Sequence, residues 1–438
     1  MKRLGARRGC GRTVLGAVSF VVVAAVTAPA LAGCASEVSG TAAAAEVDVR
    51  ELPVGNYPTD PLDVRMTYRH SSGEGYAMAI ARLADNMVTG ADVDPSFSHN
   101  LLSKSLTSAS STYAILADPV RTVLDAGNMV YGYSTASSTK PLGKSSGFSL
   151  SGNFQPFGGA DVDPTASSFN LTVIQFPDQQ SAQTAGRDME AADFNVAPDQ
   201  NVHVTLTGNP AAIAHWRPGV PSLAAVLTDG PYVVDLFVQQ PTADLDGLRG
   251  LAGKILAAQL PMLDRAPALS AKEIYRLDYD PDDMLRRTLH PSSLINPNPD
   301  TEITHTARGY LHYVDDQTTW KPLLDNNGVD RVSEADKGSL LFRARDPKSA
   351  AALWTAITAL TPAPAEAPAK VPDVACADNH DAAAKNTDKD YNAWNVDDKY
   401  ICTVRYDRYV ARVASNQLID VQQKAAAQYA LLATSQYL

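Results

Sequence analysis

Apolar positions recur with helix and strand periods along the chain, and they predict an α+β fold. In residues 76–87, apolar side chains return every three or four positions, which is typical of a helix with one buried face. In residues 169–173 they alternate, as in a half-buried strand. Two apolar runs, 223–227 and 232–238, flank the turn residues 228–231 and predict a β-hairpin. The order of these elements favours a mainly antiparallel sheet covered by helices.

The second half of the chain shows a similar succession of elements. Its apolar pattern predicts a strand at 309–314, a helix at 316–326, a strand at 339–345, a helix at 350–360, strands at 400–406 and 409–414, and a final helix at 418–432. Because both halves show the same kind of order, the pattern favours two α+β domains in tandem.

Three short sequence blocks occur twice in the same order, which indicates a diverged tandem duplication. The pairs are 123–128 with 323–328, Pro177-Asp178 and Ser181-Ala182 with Asp346-Pro347 and Ser349-Ala350, and 230–234 with 407–411. The blocks keep their order but not their spacing, and the extra length of the first copy coincides with the Ser-, Thr- and Gly-rich residues 134–168. We expect that stretch to be a mobile surface loop.

These patterns divide the chain into five predicted segments. They are a signal peptide at 1–33, a flexible tether at 34–62, an N-terminal α+β domain at 63–265, a linker at 266–300 and a C-terminal α+β domain at 301–438. The two folded domains are predicted to be related, each a mainly antiparallel sheet covered by helices.

The N-terminus has the order of a bacterial export signal. Basic residues precede an apolar run, 14–31, which ends in Leu31-Ala32-Gly33-Cys34. Those four residues resemble the lipobox of bacterial lipoproteins, and the resemblance implies that Cys34 is diacylated and becomes the new N-terminus after cleavage. An uncleaved anchor is the alternative, because the run is near the lower length limit of a spanning helix. We expect membrane lipid to be a partner through acylated Cys34, which would hold the protein on the outer face of the cell membrane.

Net charge narrows the range of partners. The chain has 438 residues, a formal net charge of −11 and a hydrophobic fraction of 45%. Loss of the basic leader makes it still more acidic. An acidic surface repels nucleic-acid phosphates and anionic lipid, so we expect neither as a partner surface. The length and hydrophobic content suit two globular domains of ordinary size.

Cysteine usage agrees with an exported protein. One cysteine leaves with the leader and Cys34 takes the lipid, so Cys376 and Cys402 remain and are predicted to form one disulfide. A metal site that includes the nearby residues 378–381 is the alternative. It lacks the paired Cys-x-x-Cys or His-x-x-x-His spacing of structural zinc sites, so the disulfide is favoured.

Catalytic motifs are incomplete throughout the sequence. Ser149 lies in residues 147–151, which resemble a nucleophile elbow but lack its final glycine. Serine–lysine and phosphate-loop spacings near residues 137–145 also lack required partners. The acidic run 278–283 lacks the glycine and terminal glutamate of a calcium loop, which favours a solvated helix start. We therefore predict no catalytic residue, no cofactor and no metal.

A family resemblance is carried by Cys34 in its lipobox, by residues 51–58, and by residues 401–411 and 425–430. These stretches resemble actinobacterial cell-envelope lipoproteins that have N- and C-terminal domains of unknown function. The resemblance implies no catalytic residues beyond the lipidated cysteine.

The favoured hypothesis for function is a non-enzymatic binding module of the cell envelope, with an unknown envelope protein or small molecule as its ligand. One alternative is an envelope hydrolase that uses Ser149 or a His/Asp pair assembled by the fold. Another is a transporter-associated solute-binding lipoprotein, which would have two lobes joined by crossing strands.

Overall fold

The computed structural model describes residues 47–61, 71–141, 162–291, 298, 302–314, 316–360, 363–380 and 398–438. Residues 47–438 form one compact unit. Within the described ranges, none of the helices combines the length and the apolar character that crossing a membrane requires.

The first half of this unit is built on a seven-stranded antiparallel sheet. Its strands are β1 (His99–Leu106), β2 (Tyr131–Ser138), β3 (Ser168–Gln175), β4 (Val202–Val204), β5 (Ile213–Trp216), β6 (Ser222–Asp229) and β7 (Tyr232–Gln239). Its helices are α1 (Ser72–Ala84), α2 (Gly90–Val93), α3 (Asp118–Ala126), α4 (Gln179–Phe194), α5 (Leu245–Leu263) and α6 (Ala271–Tyr275). The strands lie in the order β1-β2-β3-β7-β6-β5-β4.

The second half repeats this construction. Its strands are β8 (Thr304–Thr306), β9 (Arg331–Glu334), β10 (Ser339–Arg343), β11 (Ala363–Ala365), β12 (Val374–Asp378), β13 (Tyr400–Tyr406) and β14 (Tyr409–Ser415). Its helices are α7 (Ala307–Tyr310), α8 (Gln317–Asn326), α9 (Pro347–Ala359) and α10 (Leu418–Thr434). Read from β8, the order is β8-β9-β10-β14-β13-β12-β11, which is the connectivity of the first sheet. The predicted α+β fold with two tandem related domains is confirmed.

The repeated sequence blocks occupy equivalent places in the two sheets. Asp178 caps α4 by accepting the Ser181 amide, and Asp346 caps α9 by accepting the Ser349 amide. The turns after α3 and α8 both end in the left-handed conformation, with φ of 54° at Asn128 and 57° at Gly328. The blocks are similar because they supply the same caps and turns.

Two local predictions are wrong. Residues 134–138 belong to β2 rather than to a surface loop, and the whole of β2 is buried. The Ser134 hydroxyl lies 2.8 Å from the Thr172 hydroxyl, and the Thr135 hydroxyl lies 2.9 Å from His312 Nδ1. Residues 309–314 form the end of α7 and a 3-10 turn instead of a strand. The Thr306 side chain caps α7, and every residue from 309 to 314 is buried, so this apolar run does not distinguish a strand from a buried helical turn.

The segment 307–314 joins the two domains. A continuous core cluster contains Leu171 of β3, Phe342 of β10 and, between them, Tyr310. His312 is completely buried, and its Nδ1 lies 2.9 Å from the Thr135 hydroxyl of β2. Burial lowers the pKa of His312 to about 4, so this imidazole is neutral at physiological pH.

The predicted linker is ordered where the structure describes it. Asp280, in the run for which the sequence predicts a solvated helix start, is 1% exposed and accepts hydrogen bonds from the amides of Leu285 and Arg286, both at 3.0 Å. Burial raises the pKa of Asp280 to about 6. Asp282 forms an ion pair with Arg331 at 2.6 Å. These carboxylates therefore have structural partners in the described part of the chain.

Residues 47–61 form a strap on the C-terminal domain, which corrects the prediction of a flexible tether for the described end of 34–62. Leu52 is buried in the cluster that includes Val421 of α10. Tyr57 donates a hydrogen bond of 2.6 Å to Asp420, and Thr434 donates one of the same length to the Thr59 carbonyl. Apolar burial and these two bonds order a segment whose composition resembles a linker.

Replacing Leu52 with Ala is expected to loosen the strap. Truncation of a buried leucine costs about 2–5 kcal/mol, and in a peripheral segment that loss favours local opening. Limited proteolysis should therefore cut within residues 47–61 faster in the variant. The exposed Asn56→Ala serves as the matched control, and equal cleavage of all three proteins would contradict the role of Leu52.

The structure contains the disulfide between Cys376 and Cys402. These residues face each other on the adjacent strands β12 and β13, so the bond links the sheet directly. The same positions in the first sheet are Ala214 and Ala225, which pair across β5 and β6. The crosslink is therefore specific to the second copy.

Candidate functional site

A groove between α3 and α4 encloses a volume of about 420 Å³. This volume lies within the usual range for small-molecule sites. The lining residues come from both helices and the turn after α3: Thr122, Val123, Ala126, Gly127, Asn128, Gln180, Ser181, Thr184, Ala185 and Asp188. Two of the three repeated sequence blocks thus contribute to the groove.

Local sequence explains how these two helices come to border a groove. Asp118-Pro119 begins α3, and proline is well suited to a first helical turn. After Ala126, Asn128 adopts the left-handed conformation that ends the helix, and the Met129 amide bonds back to the Leu124 carbonyl at 3.1 Å. Small residues on both helices then leave room between them.

The groove has an apolar floor and a polar rim. Val123, Ala126 and Ala185 provide hydrocarbon surface. Hydroxyl, amide and carboxylate groups surround it, among them Ser181 and the exposed Asp188. Carbonyl groups at the C-terminus of α3 favour positive charge. The arrangement suits a ligand with hydrogen-bond donors, an apolar stem and positive charge.

The opposite face of α4 carries a cluster of carboxylates and imidazoles. His203 and His215 are paired across β4 and β5. Their Nδ1 atoms lie 3.4 and 3.2 Å from the same oxygen of Glu190, which is 4% exposed. His215 Nε2 lies 3.7 Å from Asp193 Oδ2. Glu190 and Asp193 share a face of α4 because they are three residues apart.

Asp235 of β7 lies beside this cluster. Burial, and secondarily the charge of Asp193, raise the pKa of Asp235 to about 8. Burial also raises the pKa of Asp193. Both residues line a cavity of about 10 Å³ with Asn170 and Phe237, which is room for about one water molecule. The space beside Asp193 and Asp235 is therefore too small for a larger ligand.

Asp235→Asn is expected to stabilise the protein progressively as pH rises from about 4 to about 8. In that range the folded state keeps a proton on Asp235 that the unfolded chain has released, so wild-type stability falls with pH. Asparagine has no titratable proton, so the variant does not show this fall in stability with rising pH. Thermal unfolding should show a gain in Tm of several degrees at pH 8 and little at pH 4. The exposed Asp199→Asn is the control, and a gain independent of pH would contradict the protonation.

The residues singled out from sequence do not meet at one place. Cys34 and Ser149 lie outside the described residues. The Cys376–Cys402 bond is in the C-terminal sheet, and His380 there bonds Asp378 through Nδ1 at 2.5 Å. In the described part of the chain, no group of three or more His, Cys, Asp or Glu is arranged to hold a metal ion.

Sequence reasoning missed the groove and the carboxylate–imidazole cluster. The sequence identifies several groove residues only as parts of the repeated blocks. Turn and cap patterns predict where helices begin and end, but not how much space lies between two helices. His203 and His215 could be placed on strands, but their common partner Glu190 depends on how α4 packs across the sheet.

Comparison with known proteins gives two family matches. Residues 66–279 match the N-terminal domain of unknown function DUF7373, and residues 284–435 match the DUF7373 C-terminal domain of unknown function. No curated protein matches the chain.

One solved structure is similar over part of the chain, the extracellular domain of PknH from Mycobacterium tuberculosis. The match has 15% identity and covers 41% of this chain and 92% of that one. Its TM-score of 0.27 is too low to support an inference about fold or function.

Proposed function

The chain belongs to the DUF7373 family, and from that premise we propose that it is a membrane-anchored, extracytoplasmic binding module whose ligand site is the α3–α4 groove. The observation that carries the binding role is the groove itself, with a ligand-sized volume, an apolar floor and a polar rim. The cavity beside Asp193 and Asp235 has a volume of only about 10 Å³, so the groove is the better candidate for a ligand.

The second copy supports this choice because its corresponding face differs. Gln180 and Asp188 of α4 correspond to Lys348 and Ala356 of α9, counted from the Asp178 and Asp346 caps. The exposed carboxylate of the rim therefore belongs to the first copy. A duplicated domain whose copies keep one fold but differ in side chains on the same face is consistent with a binding role for that face.

The anchor is supported by the sequence Leu31-Ala32-Gly33-Cys34 at the end of an apolar run. Two acyl chains on one cysteine give stable membrane attachment, since each buried methylene contributes about 0.8 kcal/mol. Cys34→Ala should move the protein from the membrane fraction to the soluble fraction and abolish labelling by a radioactive fatty acid. Retention of both membrane association and label would overturn the anchor.

Groove occupancy can be tested by crystallographic screening of a library of small polar fragments. We expect fragments in the groove of the wild-type protein. Thr184→Trp should remove them, because Thr184 is exposed and lines the groove. Ala191→Trp places the same side chain on an exposed position of α4 outside the groove and should leave binding intact. A groove that stays empty in wild-type crystals, or fragments that persist in Thr184→Trp, would contradict the proposal.

A further inference from the structure

The two copies differ at the residue before the cap of their equivalent helices. Pro177 precedes Asp178 in the first copy, and Arg345 precedes Asp346 in the second. This is a large chemical difference at a position where the backbone and cap geometry are the same. It places a cation beside the helix–turn junction of one copy and none at the same position in the other.

In the second copy, the Arg345 side chain lies across the turn after α8. Its Nη2 donates a hydrogen bond of 3.1 Å to the Ser349 hydroxyl, and its Nε lies 3.4 Å from Asp346 Oδ2. The backbone there is close enough that a Cβ on Gly328 would lie 3.0 Å from the Arg345 Cβ and 3.4 Å from its Nη1. The second copy thus holds a guanidinium group between a helix cap and a helix-terminal turn.

In the first copy, the same surroundings lack the cation. Asp178 and Ser181 correspond to Asp346 and Ser349, and Asn128 corresponds to Gly328. Proline at 177 contributes no donor, and Asn128 and Ser181 line the open groove. Asp188 adds a further exposed carboxylate. In the ranges that the structure describes, neither Asp178 nor Asp188 forms an ion pair.

We propose that the α3–α4 groove binds the guanidinium group of an arginine side chain presented by a partner polypeptide. The groove offers carboxylate, hydroxyl and amide oxygens to the five N–H donors of the guanidinium, and its floor of Val123, Ala126 and Ala185 accommodates the methylene stem. Residues of the second copy show the same cap and hydroxyl groups beside an arginine. This inference rests on the proposed function, because it assigns the ligand chemistry of the same groove.

A polypeptide is the source that fits best. The groove opens to solvent between two surface helices, so a side chain can enter while its backbone remains outside. The chain is acidic overall, which favours association with a basic partner segment.

The test uses the mature protein and three synthetic ligands: the peptide acetyl-Gly-Arg-Gly-amide, the same peptide with citrulline in place of arginine, and free L-arginine. Citrulline keeps the shape of arginine and removes its charge. Two-dimensional NMR should show perturbed amides at 122–128 and 180–188 on addition of the arginine peptide. We expect at least tenfold weaker binding of the citrulline peptide and weaker binding of free arginine.

Variants assign the interaction to the groove. Asp188→Asn should weaken binding of the arginine peptide about tenfold, since charge-assisted hydrogen bonds are the strong ones. Asp199→Asn, an exposed carboxylate beyond the end of α4, should leave affinity unchanged. Pro177→Arg should prevent binding of the peptide, because the new arginine supplies a guanidinium group from the chain itself, as Arg345 does in the second copy. A thermal stability equal to that of the wild type would show that this variant is folded.

The outcomes separate this inference from the proposed function. Equal affinity for the arginine and citrulline peptides, or perturbation confined to another surface, would overturn guanidinium recognition. Equal affinity for free arginine would overturn the polypeptide source. If the arginine peptide does not bind but fragments still bind in the groove, the ligand class is refuted and the groove remains the binding site. Failure of both experiments would refute both proposals.

Discussion

Replacing Cys376 and Cys402 together with Ala is expected to lower the free energy of unfolding by about 3 kcal/mol. A disulfide stabilises mainly by restricting the unfolded chain, and the sequence separation of 26 residues corresponds to about this value in the chain-entropy model. Alanine is the appropriate replacement, because Ala214 and Ala225 occupy the same positions in the first copy. Urea unfolding of the purified protein measures the change.

Reduction provides the control for this prediction. A reducing agent should lower the urea midpoint of the wild-type protein toward that of the double variant and leave the variant unchanged. Wild-type and variant midpoints that coincide under oxidising conditions would show that the crosslink contributes nothing to stability.

Gly338→Ala is expected to destabilise the protein by about 2–4 kcal/mol. A Cβ at this position would lie 1.9 Å from the backbone carbonyl oxygen of Leu289, far inside contact distance. That carbonyl accepts the Ser339 amide at 3.1 Å, and the Leu289 amide donates to Gln428 of α10 at 2.8 Å. The added methyl group must therefore push apart the segment before β8, strand β10 and the last helix.

The matched control is Gly250→Ala in α5. A Cβ added to Gly250 would meet no atom within 4 Å, and alanine is favoured over glycine in a helix by about 0.5–1 kcal/mol. Thermal and urea unfolding should give changes of opposite sign for the two substitutions. A Gly338→Ala protein as stable as wild type would contradict the close approach at Leu289.

Much of the architecture could be predicted because it is encoded locally. The hairpin at residues 228–231, the cap at Asp178 and the periodicity of α10 each depend on residues near in sequence. The duplicated blocks then indicate the tandem arrangement. These features are visible in the sequence because turns and caps restrict which residues are compatible with the backbone.

Features that depend on long-range partners could not be predicted. β2 is rich in serine and has the composition of a loop, but the Ser134 hydroxyl bonds Thr172 of β3 and the strand is buried on both faces. Residues 309–314 are apolar enough to suggest a strand, but every one of them is buried, so their pattern does not report the backbone conformation. The difference between Pro177 and Arg345 has meaning only once the two copies are aligned by their topology.

The strap imposes an order on folding. Its contacts join Tyr57 to Asp420 and Thr59 to Thr434, which are 363 and 375 residues apart in the chain. Synthesis delivers the N-terminal end first, so residues 47–61 lack their packing partner until the final helix has been made. A chain truncated before α10 would leave Leu52 and its apolar neighbours uncovered, and quality-control proteases could thereby distinguish an unfinished molecule from a complete one.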